Sequence, residues 1–157
     1  MVKRTSFEGD GCPVARSLEA IGDWWTLLII REAMLGLRRF GEFQSKLGMA
    51  KNILSARLRS MLDHGVLAMV PASDGSAYQE YVLTPKGRGV FPVLVALRQW
   101  SEEFSGEPKG FRTLLVDRDK GRPVRKLELR AEDGRVLGQS DTEMKANPKI
   151  SRRRASA

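Results

Sequence analysis

Residues 50–64, with the sequence AKNILSARLRSMLDH, carry the clearest pattern of apolar and polar positions in the chain. Four apolar side chains recur there at the spacing of one helix face, and they are Leu54, Leu58, Met61 and Leu62. At about 100° per residue, the opposite side carries Asn52, Ser55, Ala56 and Arg59. The pattern predicts an amphipathic helix with a small, polar outer face.

Three helices are predicted before this one. The first begins at Pro13, ends at Gly22 and has an apolar stripe of Val14, Leu18 and Ile21. Asp23 is typical of an N-cap for the apolar segment WWTLLIIREAML. We expect this segment to be the central core helix, with one face formed by Trp24, Leu27, Leu28 and Leu35.

A shorter helix is predicted over residues 38–47, where Phe40, Phe43 and Leu47 share one face. Gly48 follows as a residue suited to a left-handed C-cap. The helix of residues 50–64 starts about two residues later. This succession is typical of a helix-turn-helix, in which the first helix of the pair braces the second across a DNA groove.

After Gly65 the pattern changes from helical to strand-like in the segments VLAMV and YQEYVLT. Asp74-Gly75 between them is typical of a tight turn, so we predict a hairpin, or wing. In the second strand we expect the inward side chains to be Tyr81 and Leu83, and the outward ones to be Tyr78, Glu80 and Val82.

A last helix is predicted over residues 92–104, after a short helical restart at Thr84-Pro85. Its apolar stripe consists of Val93, Leu97, Trp100 and Phe104. Because the core of the domain is complete before this helix, an aromatic stripe there indicates a partner helix, most simply that of a second copy.

The fold class that we predict is therefore α+β, mainly α: a winged helix-turn-helix over residues 12–105, with a C-terminal dimerisation helix. Residues 1–11 are expected to be a flexible terminus. Residues 106–138 alternate weakly and predict a small β meander. Residues 139–157 are polar, end in Arg152, Arg153 and Arg154, and predict a basic disordered tail.

The 157 residues carry a net charge of +8, which favours polyanionic partners such as nucleic acid. The charge is uneven, because residues 1–105 hold 13 Lys/Arg against 11 Asp/Glu, and residues 106–157 hold 14 against 8. One cysteine excludes an intramolecular disulfide and fits a reducing cytoplasm. No apolar run reaches the ~18 residues of a membrane span.

The outer face of residues 50–64 has the chemistry of a DNA recognition helix. Asn52 can pair bidentately with adenine, and the small Ser55 and Ala56 allow close approach to a groove. Cations for phosphate or guanine are Lys51, Arg57 and Arg59, with Arg38 and Arg39 at the start of the bracing helix. The alternative is a surface helix with a solvated polar face.

Three segments together resemble the HxlR-type winged helix-turn-helix transcriptional regulators, relatives of the MarR group. They are CPVARSLEAIGDWWTLLIIREAMLGLRRFGEF, ILSARLRSMLDHGVL and EYVLTPKGRGVFPVLVALRQW. The resemblance implies a bacterial homodimer that binds double-stranded DNA at an inverted-repeat operator, as a repressor, with residues 50–64. It implies dimerisation through the first and last helices of the domain, at Val14, Leu18, Val93, Leu97 and Trp100.

Two positions depart from the family. The family usually has Ser, often followed by Gln, where this chain has Ala50 and Lys51, so a side-chain N-cap is lost. Family wings commonly carry Arg where this chain has Tyr78. A wing contact with the minor groove or a phosphate is therefore in question.

Few side chains offer other chemistry. Some family members sense oxidants at the position of Cys12, so a redox effector is one alternative, and a small buried thiol is the other. A small-molecule effector near the dimer helices is also open. One Cys and one His (His64, expected to cap a helix) leave no metal cluster, so we expect no enzyme and no metal or cofactor. The other class of function is a winged-helix protein–protein module without a DNA site.

Overall fold

The computed structural model describes residues 6–7, 11–105 and 113–147. The chain divides into two units, residues 1–105 and residues 106–157. Most of the predicted flexible N-terminus, residues 106–112 at the start of the predicted meander, and the run of Arg152, Arg153 and Arg154 lie outside the described residues.

The first unit begins with four helices, α1 (Pro13–Ile21), α2 (Trp24–Met34), α3 (Phe40–Leu47) and α4 (Lys51–Asp63). Their ends follow the predicted signals. Asp23 caps α2 because its Oδ1 accepts from the backbone N–H groups of Trp25 and Thr26, at 3.0 and 3.3 Å. Gly48 ends α3 with a φ of 63°, in the left-handed region. The predicted helix-turn-helix of α3 and α4 is confirmed.

A two-stranded antiparallel wing follows α4. Strand β1 (Leu67–Pro71) pairs with β2 (Gln79–Leu83), so that Leu67 lies opposite Leu83 and Pro71 opposite Gln79. The chain then turns into the short helix α5 (Pro85–Arg88), where the Thr84 hydroxyl accepts from the Gly87 N–H at 3.1 Å. Helix α6 (Phe91–Phe104) ends the unit.

The core of this unit lies where α2, α3, α4 and the wing meet. Its members come from every one of these elements: Ile29, Ile30, Phe43, Leu54, Leu58, Met61, Val66 and Leu67. A Cβ at Gly87 would lie 2.2 Å from the carbonyl oxygen of Val66, so only glycine allows α5 to approach the start of the wing.

Two predicted orientations are wrong. Trp24 and Leu35 are each 71 % exposed instead of facing the core. On a helical wheel they share their side of α2 with exposed Arg31, and the helix buries Thr26, Ile29 and Ile30 on the other side. Glu80, predicted to point outward, is 3 % exposed because Ser73, Arg38 and Arg39 surround its carboxylate.

Between residues 113 and 147, the second unit forms one short hairpin and an isolated bridge. Strands β3 (Leu129–Arg130) and β4 (Val136–Leu137) pair antiparallel, and Val116 bridges to Pro123. At the start of the segment that was expected to be disordered, Gln139–Asp141 form a 3-10 helix. The Gly138 N–H donates to Asp141 Oδ2 at 2.8 Å and stabilises that turn. Among residues 113–147, none is buried.

Candidate nucleic-acid interface

Helix α4 presents polar and cationic side chains on one side and buries apolar ones on the other. We call the exposed set the outer face of α4: Lys51, Asn52, Ser55, Ala56 and Arg59. Behind it, Leu54, Leu58 and Met61 are at most 1 % exposed. The predicted orientation of the helix is confirmed, and its outer face lies open to a ligand.

The N-terminus of α4 has no side-chain cap. Ala50 takes the N-cap position with extended backbone, φ −62° and ψ 138°, and contributes no side-chain acceptor. The first backbone N–H groups of a helix have no partner within the helix, and the positive end of the helix dipole lies beside them. The start of α4 therefore offers donors for an anion.

Arg57 belongs to the packing of α4 instead of its outer face. Its Nη2 lies 3.1 Å from Asp23 Oδ2, and the two side chains are 29 % and 17 % exposed. Asp23 thus caps α2 with one oxygen and binds α4 with the other. On a helical wheel Arg57 lies about 60° from Leu54, which places it nearer the buried side than the exposed one.

Arg38 and Arg39 lie where α3 begins and the wing returns, and both are bound by wing carboxylates. We call this cluster the wing junction: Arg38, Arg39, Ser73, Asp74 and Glu80. Arg39 Nη2 donates to Asp74 Oδ2 at 2.5 Å and to Glu80 Oε1 at 3.3 Å, and its Nε lies 3.4 Å from the same Glu80 oxygen. Arg38 Nη1 lies 3.5 Å from Glu80 Oε2.

The wing junction is electrically balanced, with two guanidinium groups against two carboxylates. Burial raises the pKa of Glu80, but hydrogen bonds from Ser73, Arg39 and Arg38 outweigh it, so the pKa lies below its usual value. The hydrogen bond from Arg39 holds the pKa of Asp74 far below its usual range. Both carboxylates are therefore charged at neutral pH. Arg38 and Arg39, predicted as phosphate ligands, are each paired with at least one of them.

The two backbone N–H groups just before α3 are hydrogen-bonded as well. Glu42 Oε2 accepts from the N–H groups of Arg38 and Arg39, at 2.8 and 2.9 Å. These backbone hydrogen bonds lower the pKa of Glu42, and the one from Arg38 has the larger effect. The carbonyl oxygen of Arg38 accepts from the Tyr81 N–H at 2.8 Å, so the same segment also anchors β2.

Apolar side chains of α1 and α6 face solvent. The exposed ones include every residue predicted for a dimer interface: Val14, Leu18, Val93, Leu97, Trp100 and Phe104. Trp100 and Phe104 pack together with ring centroids 5.9 Å apart. Phe91 and Trp24 are exposed as well.

Cys12 and His64 take the positions that the helix signals indicate. Cys12 is the N-cap residue of α1 and is exposed in the single chain. His64 is the C-cap residue of α4, with Nδ1 2.7 Å from the carbonyl oxygen of Ser60. Within residues 6–7, 11–105 and 113–147, no three His, Cys, Asp or Glu side chains form a group suited to a metal. None of the helices in those ranges has the length and apolarity to cross a bilayer.

A family profile described as HxlR-like helix-turn-helix matches residues 20–109, which include α2, the helix-turn-helix, the wing and α6. The chain belongs to the HxlR-like helix-turn-helix family. A similar protein is the uncharacterised HTH-type transcriptional regulator Rv3095 of Mycobacterium tuberculosis, 44 % identical over 104 residues. That match covers 66 % of this chain and 65 % of the relative, so it spans just under two thirds of the relative's length.

Two solved structures resemble this HxlR-like chain beyond the matched domain. PA1607, described as a candidate transcription factor, is 53 % identical with a TM-score of 0.86 and covers 91 % of this chain and 100 % of its own. PA1374 of Pseudomonas aeruginosa, described in the same way, is 38 % identical with a TM-score of 0.61. The match covers 91 % of this chain and 99 % of PA1374. The likeness therefore extends past residue 109 into the second unit.

Proposed function

We propose that the protein is a transcriptional regulator that binds double-stranded DNA sequence-specifically with the outer face of α4. The observation that carries this proposal is the joint exposure of Lys51, Asn52, Ser55 and Arg59 on the second helix of a helix-turn-helix, with apolar side chains buried behind them. Membership of the HxlR-like family supports it, because relatives such as Rv3095 are named as transcriptional regulators.

Each group on this face has a distinct role in the proposed complex. The Asn52 amide pairs with the edge of an adenine in the major groove, and Arg59 and Lys51 bind guanine or phosphate. The small Ser55 and Ala56 let the helix lie close to the groove floor. The uncapped amides at the start of α4 donate to a phosphate oxygen. We leave Arg57 out of this set because Asp23 binds it.

We further propose that the regulator is a homodimer formed through the exposed apolar side chains of α1 and α6. Two copies of α4 then enter successive major grooves, which requires an inverted-repeat operator with half-sites about 10–10.5 bp apart, or a multiple of that distance. Occupation of an operator beside a promoter represses transcription. A small-molecule or redox effector, the latter acting at exposed Cys12, releases DNA by favouring a dimer geometry that misfits the half-sites.

Selection from a random duplex library, repeated over a series of salt concentrations, tests this function. We expect the full-length protein to enrich an inverted repeat, with log K falling linearly with log salt by about 0.9 per phosphate neutralised. A protein–protein module built on the same fold would enrich no sequence and would show no such salt dependence. That result would overturn the proposal.

A further inference from the structure

The wing junction divides one arginine between two carboxylates of different accessibility. Glu80 is buried, its side chain is 4 % exposed, and it is held by Ser73 and Arg38 as well as by Arg39. Asp74 lies at the exposed turn of the wing, with its side chain 49 % exposed, and binds the Nη2 of Arg39 at 2.5 Å. Glu80 therefore fixes where Arg39 lies, and Asp74 occupies its outward-facing donor.

In helix-turn-helix proteins the bracing helix crosses the DNA backbone, so the start of α3 lies where a phosphate would come. An arginine at that place binds phosphate well only if its donors are available. Here the Nη2 group is already bound by Asp74. A phosphate that approaches the Nη2 of Arg39 must compete with that carboxylate, which itself repels the phosphate.

We propose that Asp74 is an internal competitor of the DNA backbone for Arg39, so that docking exchanges a wing carboxylate for a phosphate at Nη2. The inference rests on the proposed DNA-binding function of α4. Asp74 lowers the affinity for all sequences alike, because a phosphate contact carries no base information. In this role Asp74 and Arg39 set how much non-specific attraction accompanies readout by α4.

The structure allows this exchange without unfolding of the wing. The Arg39 side chain is 38 % exposed, and Glu80 continues to hold its Nε and Nη2 when Asp74 leaves. The wing itself is held by the pairing of β1 with β2 and by the Tyr81 N–H bond to Arg38. Asp74 keeps a local bond as well, since its Oδ1 accepts from the Ser76 N–H at 3.0 Å.

A double-mutant cycle on the full-length protein tests the competition, with Asp74→Asn, Arg39→Met and the two combined. Asn keeps the shape of Asp and the acceptor for Ser76, but it loses the charge. We expect Asp74→Asn to raise the affinity for the selected operator and for unrelated duplexes by about two- to fivefold, the range of an exposed ion pair. Because Arg39 contacts the same phosphate in both complexes, the salt slope should stay close to that of wild type.

The Arg39→Met background separates the mechanism from simple repulsion. If Asp74 acts through Arg39, Asp74→Asn gives no gain in that background, and Arg39→Gln supplies a second background should the methionine variant fail to fold. A gain that persists without Arg39 shows repulsion through space and overturns the proposal. Unchanged or weaker binding by Asp74→Asn also overturns it, since the pair then serves the wing alone. Absence of DNA binding by the wild type overturns the function itself as well.

Discussion

The two helices of the helix-turn-helix begin with basic side chains that the fold treats differently. At α3 the guanidinium groups of Arg38 and Arg39 are bound by Glu80 and Asp74, and Glu42 accepts from the backbone N–H groups of the same two arginines. At α4 the basic side chain of the first turn, Lys51, is exposed. Neither N-cap residue, Arg39 or Ala50, supplies a side-chain acceptor, so the difference lies in the charges and not in the caps.

The difference indicates which basic residues can meet a ligand directly, whereas Arg39 must first release Asp74. Two arginines at α3 are used to hold the wing in place, and Arg57 is used to hold α4 on α2. Lys51 and Arg59 are exposed on α4. This division suits a site in which α3 and the wing fix the geometry and α4 meets the ligand.

The largest expected change in the free energy of unfolding comes from a substitution on the buried side of α4. Leu54→Ala should lower the free energy of unfolding by about 2–5 kcal/mol, because Leu54 is fully buried and the change leaves a cavity. The matched change Ser55→Ala, one residue away on the outer face, should alter it by less than about 0.5 kcal/mol. Chemical denaturation measures both, and equal losses would mean that the outer face is packed.

Arg57 and Arg59 allow a direct comparison between an arginine that is paired within the fold and one that is exposed on α4. Arg57→Ala should lower the free energy of unfolding by about 1–2 kcal/mol, because it removes the partner of partly buried Asp23. Arg59→Ala should leave stability unchanged and weaken binding to all DNA sequences alike. Denaturation and DNA titration of both variants check this. An unstable Arg59→Ala and a stable Arg57→Ala would reverse the assignment.

Ala50→Ser should supply the side-chain N-cap that α4 lacks. A serine hydroxyl at an extended N-cap accepts from an orphan N–H group, which typically adds about 1 kcal/mol. Thermal denaturation should therefore show a higher Tm for Ala50→Ser. Ala50→Val is the control, since it changes the same position without a side-chain acceptor and valine is as poor an N-cap residue as alanine. An equal rise in Tm there would exclude capping.

The smallest effect is the pH dependence of the cap on α3. The folded pKa of Glu42 is lowered from about 4.5, so its stabilisation is present above that pH and is lost as the pH falls through the folded pKa. Glu42→Gln should therefore cost about 0.5 kcal/mol at neutral pH, and the difference from wild type should vanish in acid. A difference that does not change with pH would show that the charge of Glu42 has no part in the cap.

The helices of the first unit could be predicted from the sequence because their signals are local. Asp23, Gly48 and the Leu54, Leu58 and Met61 stripe each act within a few residues, and the structure confirms them. The same periodicity predicted which side of α4 faces outward. Most of the candidate site lies on that side and could therefore be placed from the sequence.

The errors arose where partners lie far apart in the chain. The alternation of β2 predicts that Glu80 points outward. In the structure Arg38 and Arg39, about 40 positions earlier in the chain, bind its carboxylate and help to bury it. Trp24 and Leu35 read as core because α2 is apolar on most sides, although Arg31 on their face indicates the exposed side. In the second unit the alternation is weak, and only short strands form.

Base preference with and without the Asn52 amide tests the central claim most directly. Library selection with Asn52→Ala should lose preference at one base pair in each half-site, at a cost of about 1–3 kcal/mol on the preferred sequence. Arg59→Ala, selected in parallel, should weaken binding with the preferences retained. If Asn52→Ala selected the wild-type operator with unchanged preference at every position, α4 would not be the element that reads DNA.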